Sequence, residues 1–337
     1  MMNWDTFNTS LASARATLLA AAPDGATAAE AEAYLMRLTS SALNDAFLSH
    51  HFSRDGLARS LPTRGGPNPD FLMCHAAIDS TRRYRLEGCL NDSERVGIGL
   101  YSFSANGVAL LAGYRAFDRK SAVAEGRFTL EIAADAKGPR VLAIPSEARV
   151  LLIRTLHRNP HGYPAALTLT GGSESRGLAI EGTDLALTQA ARSVLGGVHQ
   201  FMVWSRLTSA SANQFIAPPP DIAEAVRGDP DITYYLGYYA LDDGECLEVS
   251  VPAVSGYWSL HAYTHWLESL PGAGVHDLNA QPECDGSFRV RIGPSIPSET
   301  RNRIDTLGRE RGVLIFRTIG TPHIPVPQTR LYRRTEI

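Results

Sequence analysis

The sequence has very little lysine and no long apolar run. Lysine occurs only at Lys120 and Lys137 among 337 residues, which argues against Schiff-base chemistry. No stretch of 18 or more apolar residues occurs, and residues 1–23 lack the basic region and apolar run of a signal peptide. We therefore expect a cytoplasmic protein with no membrane partner.

The cysteines and the charged residues are too scattered to indicate a zinc centre, a redox centre or a nucleic-acid-binding surface. The four cysteines form no Cys-x-x-Cys pair, so we expect reduced thiols rather than a zinc or redox centre. The net charge is -3, with no long run of one sign. A nucleic-acid partner is therefore not expected.

The usual nucleotide, metalloprotease and hydrolase motifs are absent. Only Gly97-Ile-Gly99 partly resembles a dinucleotide fingerprint, and it lies in a predicted strand without a following helix. The sequence thus predicts no cofactor and no metal.

The chain begins with a helical pattern and then becomes mainly β. Apolar residues recur at helical spacing in two runs that Pro23, Asp24 and Gly25 separate, which predicts helices near 3–22 and 27–49 within a helical segment 1–60. After a loop rich in Pro and Gly, short alternating runs separated by turn residues predict antiparallel strands.

Sequence blocks recur in the same order after 160 to 163 residues. The paired blocks are Tyr84–Glu87 with Glu245–Glu248, Val96–Tyr101 with Trp258–Tyr263, Glu125–Ile132 with Asp285–Ile292, and Val150–Thr155 with Val313–Thr318. We interpret them as two tandem jelly-roll or β-sandwich-like domains related by an internal repeat, at 70–175 and 232–337. A helical and Pro-rich connector, 185–231, joins them. Periodicity does not distinguish between sandwich topologies.

Several short motifs resemble the DUF1214 domain family. They are Asn68-Pro69-Asp70, Tyr84-Arg85-Leu86-Glu87-Gly88, Tyr257-Trp258, Leu278-Asn279-Ala280-Gln281, Asp285-Gly286-Ser287-Phe288, Asn302-Arg303-Ile304-Asp305-Thr306, and the closing Pro325 and Pro327. The resemblance covers most of the chain and implies a β-rich, jelly-roll-like architecture, often found beside a DUF1254 domain. It implies no established function. The sequence departs from the family at Arg303 and Arg309, where the family has Trp and His.

His261 and His265 are the candidate acid–base residues. On a strand they share one face with Ser259 and Tyr263, opposite Trp258, Leu260, Ala262 and Trp266. Four residues of extended chain separate the two rings by about 13 Å, too far for one metal ion. This face is either plain solvent surface or the wall of a pocket.

The repeat separates shared features from features of one copy. Arg154 and Arg317 occupy equivalent positions, so we expect both to be structural, each pairing with a carboxylate at a strand end. Tyr101 likewise matches Tyr263. In contrast, the positions equivalent to His261 and His265 in the first copy hold Gly99 and Phe103. Only the second copy has the two histidines, which makes it the candidate functional domain.

Polar residues in two later loops could complete the site. Asn279 lies in the long connection 267–284, and Asn302 and Asp305 lie in 298–311. The second stretch also carries Arg309 and Arg311, and amides together with an arginine could hold a carbonyl or carboxylate. Arg317 is a further candidate for substrate binding. The alternative is that Asn302 and Asp305 cap a helical turn.

Two functional hypotheses remain open. The first is a small-molecule enzyme that uses metal-free acid–base chemistry, such as hydrolysis, isomerisation, elimination or retro-aldol cleavage, on a hydrophobic or weakly acidic metabolite. His261, His265 and Tyr263 would be its catalytic residues. The second is a non-catalytic module that binds a carbohydrate or hydrophobic metabolite on Tyr257, Trp258, Tyr263 and Trp266. A third possibility is that the two copies pack against each other, or that the chain forms a homodimer; either would explain the apolar residues without a ligand.

Overall fold

The computed structural model of the chain describes residues 4–47, 55–59, 65–104, 109–122, 124–171, 183–220, 228–321 and 324–333. These residues form three α-helices and seventeen β-strands, which are arranged in four sheets. The predicted mainly β fold with N-terminal helices is confirmed. The predicted boundaries near residues 60 and 175 lie outside the described residues.

Three helices pack together beside the second half of the chain. They are α1 (Trp4–Ala21), α2 (Gly25–Phe47) and α3 (Thr183–Ser209). The break between α1 and α2 falls where Pro23, Asp24 and Gly25 predict it. Asp24 Oδ1 accepts a hydrogen bond from the Thr27 N–H at 2.7 Å, which satisfies one of the free donors at the start of α2.

Eight strands form a first β unit. They are β1 (Phe71–Ala77), β2 (Tyr84–Cys89), β3 (Arg95–Phe103), β4 (Ala109–Asp118), β5 (Arg127–Ala133), β6 (Val141–Ala143), β7 (Val150–Leu156) and β8 (Ala166–Thr170). Two four-stranded sheets, in the orders β1-β7-β3-β4 and β6-β5-β2-β8, share one apolar core. The unit is therefore a β-sandwich.

A second β unit follows α3. Its strands are β9 (Phe215–Ile216), β10 (Ile232–Ala240), β11 (Glu245–Val251), β12 (Trp258–Tyr263), β13 (Ser269–His276), β14 (Phe288–Gly293), β15 (Arg303–Asp305), β16 (Arg311–Ile319) and β17 (Gln328–Arg333). They form the sheets β13-β12-β16-β10-β9 and β15-β14-β11-β17, again around one core.

The two units have the same strand order, apart from the two-residue β9 at one edge. The registers agree as well. Arg154 of β7 stands opposite Met73 and Gly97, and Arg317 of β16 stands opposite Tyr234 and Ser259. Each unit also contains one parallel pair at the equivalent position, β5 with β6 and β14 with β15.

The alternation predicted for β12 is correct within the strand and fails after it. Trp258, Leu260 and Ala262 point into the sandwich core. Trp266 instead joins the helical cluster, because the chain turns after Tyr263 and Leu267 has a positive φ of 61°. A period of two residues has no meaning beyond that turn.

The helices and the first β unit pack against one face of the sheet that contains β12. We call it the outer face, because it points away from the sandwich core. It presents Leu236 and Tyr238 of β10 and Val313 and Ile315 of β16 to the helices. Farther along, Tyr234 packs against Phe71 and Leu156 of the first unit. The helices and the first unit thus cover the outer face together.

None of the helices in the described part of the chain is long and apolar enough to cross a membrane.

Candidate functional site

His261 lies on the outer face in the middle of β12. Its ring lies directly over Gly274 of β13: a Cβ atom there would meet the ring at 2.1 Å. Nδ1 has no hydrogen-bond partner among the described residues, and Nε2 lies 3.8 Å from Asp70 Oδ1. Burial, together with Arg317 and His276, holds the pKa of His261 well below its ordinary value. The ring is therefore neutral at pH 7.

His261 belongs to a group of polar side chains that joins the two β units. We call this group the junction cluster; its members are Asn68, Asp70, Tyr257, Ser259 and His261. Tyr257 donates to Asp70 Oδ2 at 2.7 Å and accepts from Asn68 Nδ2 at 2.6 Å. Ser259 Oγ lies 2.9 Å from Tyr257 Oη. Burial and the Asp70 carboxylate raise the pKa of Tyr257 well above its ordinary value, so the phenol keeps its proton.

All members of the junction cluster except the half-buried Asn68 are shielded from solvent. Asp70, Tyr257, Ser259 and His261 are all buried, with at most 8% of their surface exposed. Arg158 covers the Tyr257 ring at 5.1 Å and forms ion pairs with Glu94 and Asp277. The outer face here is therefore neither the solvent surface nor the open pocket wall that the sequence suggested. It is an interface between the two β units.

Arg317 and Tyr263 lie beside this cluster and hold a backbone segment. Arg317 Nη1 donates to Tyr263 Oη at 2.7 Å, and Nη2 donates to the Gly66 carbonyl. Tyr263 donates to the Pro67 carbonyl at 2.9 Å. Their hydrogen bonds fix the segment that leads into β1, so neither side chain is free to contact a substrate.

The first β unit contains an equivalent arrangement, in which its arginine and tyrosine hold a backbone segment before β10 of the second unit. Arg154 Nη1 donates to Tyr101 Oη at 2.8 Å and to the Gly228 carbonyl at 2.7 Å. Tyr101 donates to the same carbonyl at 2.8 Å. The first unit thus holds the segment that leads into β10, and the second unit holds the segment that leads into β1. The expected carboxylate partners are wrong: no described carboxylate forms an ion pair with Arg154 or Arg317, because carbonyl and phenol oxygens occupy those positions.

His265 lies in a different place, on the wall of a cavity of about 280 Å³ beneath the helices. We call it the helix-side cavity. Its lining residues are Ala21, Pro23, Met202, Arg206, Ser209, Ala212, Tyr238, Ala240, His265 and Arg311. The volume is near the lower end of the range for small-molecule sites, roughly 300–1,000 Å³.

A histidine–tyrosine pair forms the buried part of this cavity. His265 Nδ1 lies 2.8 Å from Tyr238 Oη. α3 fixes the turn that carries the histidine, since Ser205 Oγ donates to the His265 carbonyl at 2.6 Å. Burial lowers the pKa of His265 to about 4 and raises the pKa of Tyr238 to about 12. Both side chains are therefore uncharged over a wide range around neutral pH.

Two arginines lie at the rim of the helix-side cavity, where both side chains are exposed. Arg311 Nε pairs with Asp24 Oδ2 at 2.8 Å. Arg206, in the last turn of α3, has no ion-pair partner in the part of the chain that the structure describes. The cavity thus combines an uncompensated positive charge with a neutral, hydrogen-bonded pair and several apolar walls.

The predicted loop residues bond to main chain and do not gather in one site. Asn279 Oδ1 accepts from the His276 N–H at 2.7 Å, and Asp305 Oδ1 accepts from the Leu307 N–H at 2.7 Å. Asn302 instead links two distant segments, because it exchanges hydrogen bonds with the backbone of Gln281. The capping alternative therefore holds in part for Asp305, whose turn is not helical, and is wrong for Asn302.

The predicted stacking residues are buried in apolar clusters. Trp258 packs against Phe288 and Phe316. Trp266 stacks on Tyr34 of α2 at 6.2 Å, and its indole N–H donates to the Thr27 carbonyl at 3.1 Å. Together with Tyr257 and Tyr263, these rings have at most 6% of their surface exposed, so these four residues do not form an open platform for a ligand.

Sequence reasoning named Arg311 as a candidate anion ligand but missed Tyr238 and Arg206 in the cavity, and it assigned no role to Asn68 and Asp70. A signal existed for the last two. Asn68-Pro69-Asp70 immediately precedes β1, and Asp229-Pro230-Asp231 immediately precedes the equivalent strand β10. For the cavity, Tyr238 shares the outer face of β10 with Tyr234 and Leu236, a period-two pattern.

Among the described residues, no group of three or more His, Cys, Asp or Glu side chains is placed to hold a metal ion. The four cysteines are free thiols.

Comparisons with known proteins show the fold and no more. No family model and no curated protein matches the chain. The crystal structure of an uncharacterised protein from Burkholderia cenocepacia matches 99% of this chain and 97% of its own, with a TM-score of 0.86 and 22% identity. A structural-genomics target from Vibrio parahaemolyticus covers 88% of this chain and 98% of its own, at a TM-score of 0.49 and 11% identity, which is too distant to carry an argument. The chain therefore shares its mainly β fold with N-terminal helices with the Burkholderia protein.

Proposed function

We propose that the protein is a small-molecule enzyme that carries out metal-free acid–base chemistry on a weakly acidic metabolite in the helix-side cavity. The observation that carries this proposal is the 2.8 Å contact between His265 Nδ1 and Tyr238 Oη in a cavity with Arg206 and Arg311 at its rim. The site is therefore assigned to His265 rather than to His261.

The pair can move a proton without creating a buried charge. In one tautomer His265 Nδ1–H donates to Tyr238 Oη, which leaves Nε2 as a base and the tyrosine O–H as an acid. Nε2 takes a proton from the substrate, the Nδ1 proton passes to Tyr238 Oη, and the tyrosine returns its own proton to another substrate atom. The pair ends as the other tautomer, in which Tyr238 donates to Nδ1. Such a relay suits isomerisation and elimination, where one proton leaves and another arrives.

The rim arginines support an acidic substrate. Arg206 carries a positive charge without a described counter-charge, and a guanidinium binds a carboxylate through two parallel hydrogen bonds. The apolar walls, among them Met202 and Pro23, suit a short hydrocarbon body. A metabolite with one acidic group and a small apolar part fits both features.

The alternative of a binding module on aromatic rings receives less support. It needs rings that are open to a sugar or hydrophobic ligand, and Tyr257, Trp258, Tyr263 and Trp266 are all buried. The largely buried junction cluster is likewise a poor place for a substrate, which is why His261 is not assigned the reaction.

The identical strand orders of the two β units support the further proposal that they are copies of one jelly-roll domain. Membership of the DUF1214 family remains a proposal from the short motifs. The four free thiols support a cytoplasmic location.

Deuterium exchange tests the proposed chemistry across a range of candidate substrates. The full chain is incubated in D₂O with a panel of 2-oxo and 3-oxo carboxylates of four to eight carbons, and proton NMR follows the C–H next to the carbonyl. We expect enzyme-dependent exchange of at least one compound. His265→Gln and Tyr238→Phe should slow it by about 100-fold or more, the usual contribution of a general acid–base group.

Tyr239→Phe is the matched control. This tyrosine is the next residue on β10 but points into the sandwich core, so its hydroxyl should not matter for exchange. Exchange that Tyr238→Phe leaves unchanged, or that His261→Gln abolishes while His265→Gln does not, would contradict the proposal.

A further inference from the structure

Asp24 lies at the rim of the helix-side cavity, in the turn between α1 and α2. Its neighbour Pro23 and the nearby Ala21 line the cavity. Both carboxylate oxygens are engaged: Oδ1 accepts from the Thr27 N–H at 2.7 Å, and Oδ2 pairs with Arg311 Nε at 2.8 Å. Contacts with two different elements therefore fix the position of this negative charge.

The ion pair sets the charge at the rim. None of the ten residues that line the cavity carries a carboxylate, and two of them, Arg206 and Arg311, carry a positive charge. Asp24 compensates Arg311, whereas no described residue forms an ion pair with Arg206. His265 adds no charge at pH 7, since burial lowers its pKa to about 4. One positive charge therefore remains for a ligand.

Asp24 also makes the cavity unfavourable for a second negative charge. A ligand carboxylate bound by Arg206 meets the uncompensated cation. A further carboxylate near Arg311 would have to lie beside Asp24 or displace it, and displacement would also remove the cap of α2. Two carboxylates that share a site repel each other.

We propose that Asp24 restricts the helix-side cavity to ligands with a single negative charge, so that the substrate is a monocarboxylate rather than a dicarboxylate. This assignment rests on the proposed function, because it takes the helix-side cavity as the substrate site. The part of the substrate that reaches His265 and Tyr238 is then uncharged. Phosphate monoesters, which carry about two charges at neutral pH, are excluded for the same reason as dicarboxylates.

Hexanoate and adipate test the restriction, because they have the same number of carbons and differ by one carboxylate. The full chain with ¹⁵N-labelled histidine is titrated with each acid at pH 7.5 and low, constant ionic strength. The His265 resonances then report occupancy of the cavity. We expect hexanoate to bind more tightly than adipate by about tenfold or more, the scale of a like-charge contact at a partly exposed site.

Two further measurements separate charge from shape. Monomethyl adipate has one charge and a polar far end, and it should bind about as tightly as hexanoate. In about 1 M sodium chloride the screening length falls to about 3 Å, so the preference for hexanoate over adipate should shrink severalfold.

Asp24→Asn removes the charge and keeps the cap, because asparagine caps a helix about as well as aspartate does. We expect this variant to bind adipate about tenfold more tightly or more, which abolishes the preference for hexanoate. Glu30→Gln is the matched control. It also removes one negative charge from α2, but Glu30 pairs with Arg309, which does not line the cavity, so the preference should remain.

Equal affinities for the two acids in the unsubstituted protein, or a preference that Asp24→Asn leaves in place, would overturn the restriction without affecting the deuterium-exchange result. The salt dependence needs no variant, so a preference that high salt leaves unchanged would overturn it even if Asp24→Asn fails to fold. A protein that prefers hexanoate but exchanges no deuterium would refute the proposed reaction alone. If neither acid shifts the His265 resonances, the acidic substrate class is wrong as well.

Discussion

Gly274→Ala is expected to destabilise the protein through its contact with His261. The added Cβ would lie 2.1 Å from His261 Cδ2 and 2.4 Å from Nε2, distances that no real contact tolerates. The ring is only 3% exposed and packs against β13, so it must leave its position or push the strands apart. Overpacking of this kind costs about 1–3 kcal/mol.

A double-mutant cycle isolates this contact. His261→Ala removes the clashing ring, so Gly274→Ala should cost much less in that background. We expect a favourable coupling of about 1–3 kcal/mol, measured as the free energy of unfolding by urea denaturation of the four proteins. Gly25→Ala is the control, because nothing lies within 4 Å of a Cβ there. Additive effects of the two substitutions would refute the placement of the ring over Gly274.

Three further outcomes are expected. The pKa of His265 is about 4 in the folded protein against 6.5 when unfolded, so its contribution to stability is complete above pH 6.5 and is lost as the pH falls toward 4. At about 1.4 kcal/mol per pH unit, the loss in the free energy of unfolding reaches roughly 3 kcal/mol. Urea denaturation from pH 7.5 to 4.5 should therefore show a smaller decline in the free energy of unfolding for His265→Gln than for the unsubstituted protein. Equal declines for the two proteins would refute this. Tyr263→Phe should lower the free energy of unfolding by about 1–3 kcal/mol, since Arg317 Nη1 and the Pro67 carbonyl lose a buried partner; an unchanged denaturation midpoint would contradict the assigned contacts. Tyr101→Phe should have a similar effect through Arg154 and Gly228, and a stabilised variant would be inconsistent with the exchanged arrangement of the two units.

Short-range sequence patterns predicted the faces of β12 and the break between the first two helices. Alternation placed Trp258, Leu260 and Ala262 on one face of β12 and Ser259, His261 and Tyr263 on the other, because a strand has a period of two residues. Proline and glycine marked the break between α1 and α2. The local bond of Asp305 to the Leu307 N–H was also foreseeable, since short polar side chains readily bond to nearby main chain.

Long-range contacts determined the rest and left no local signal. Tyr257 meets Asp70 across 187 residues, and only the packing of the two β units brings them together. The same packing converts a polar strand face into a buried interface and replaces the expected carboxylates of Arg154 and Arg317 with carbonyls. His265 and Tyr238 meet through the turn after β12, where alternation no longer predicts the direction of a side chain.

The most direct test of a functional site at His265 is a pH titration of its imidazole by nitrogen NMR. The protein carries ¹⁵N-labelled histidine, and the titration is run with and without hexanoate. We expect a neutral ring at pH 7 with a midpoint near pH 4, since burial lowers the pKa to about 4. We also expect hexanoate to shift the ring resonances, because the ligand occupies the cavity that His265 lines. A midpoint near 6.5, or resonances that saturating hexanoate leaves unchanged, would contradict a functional site at His265.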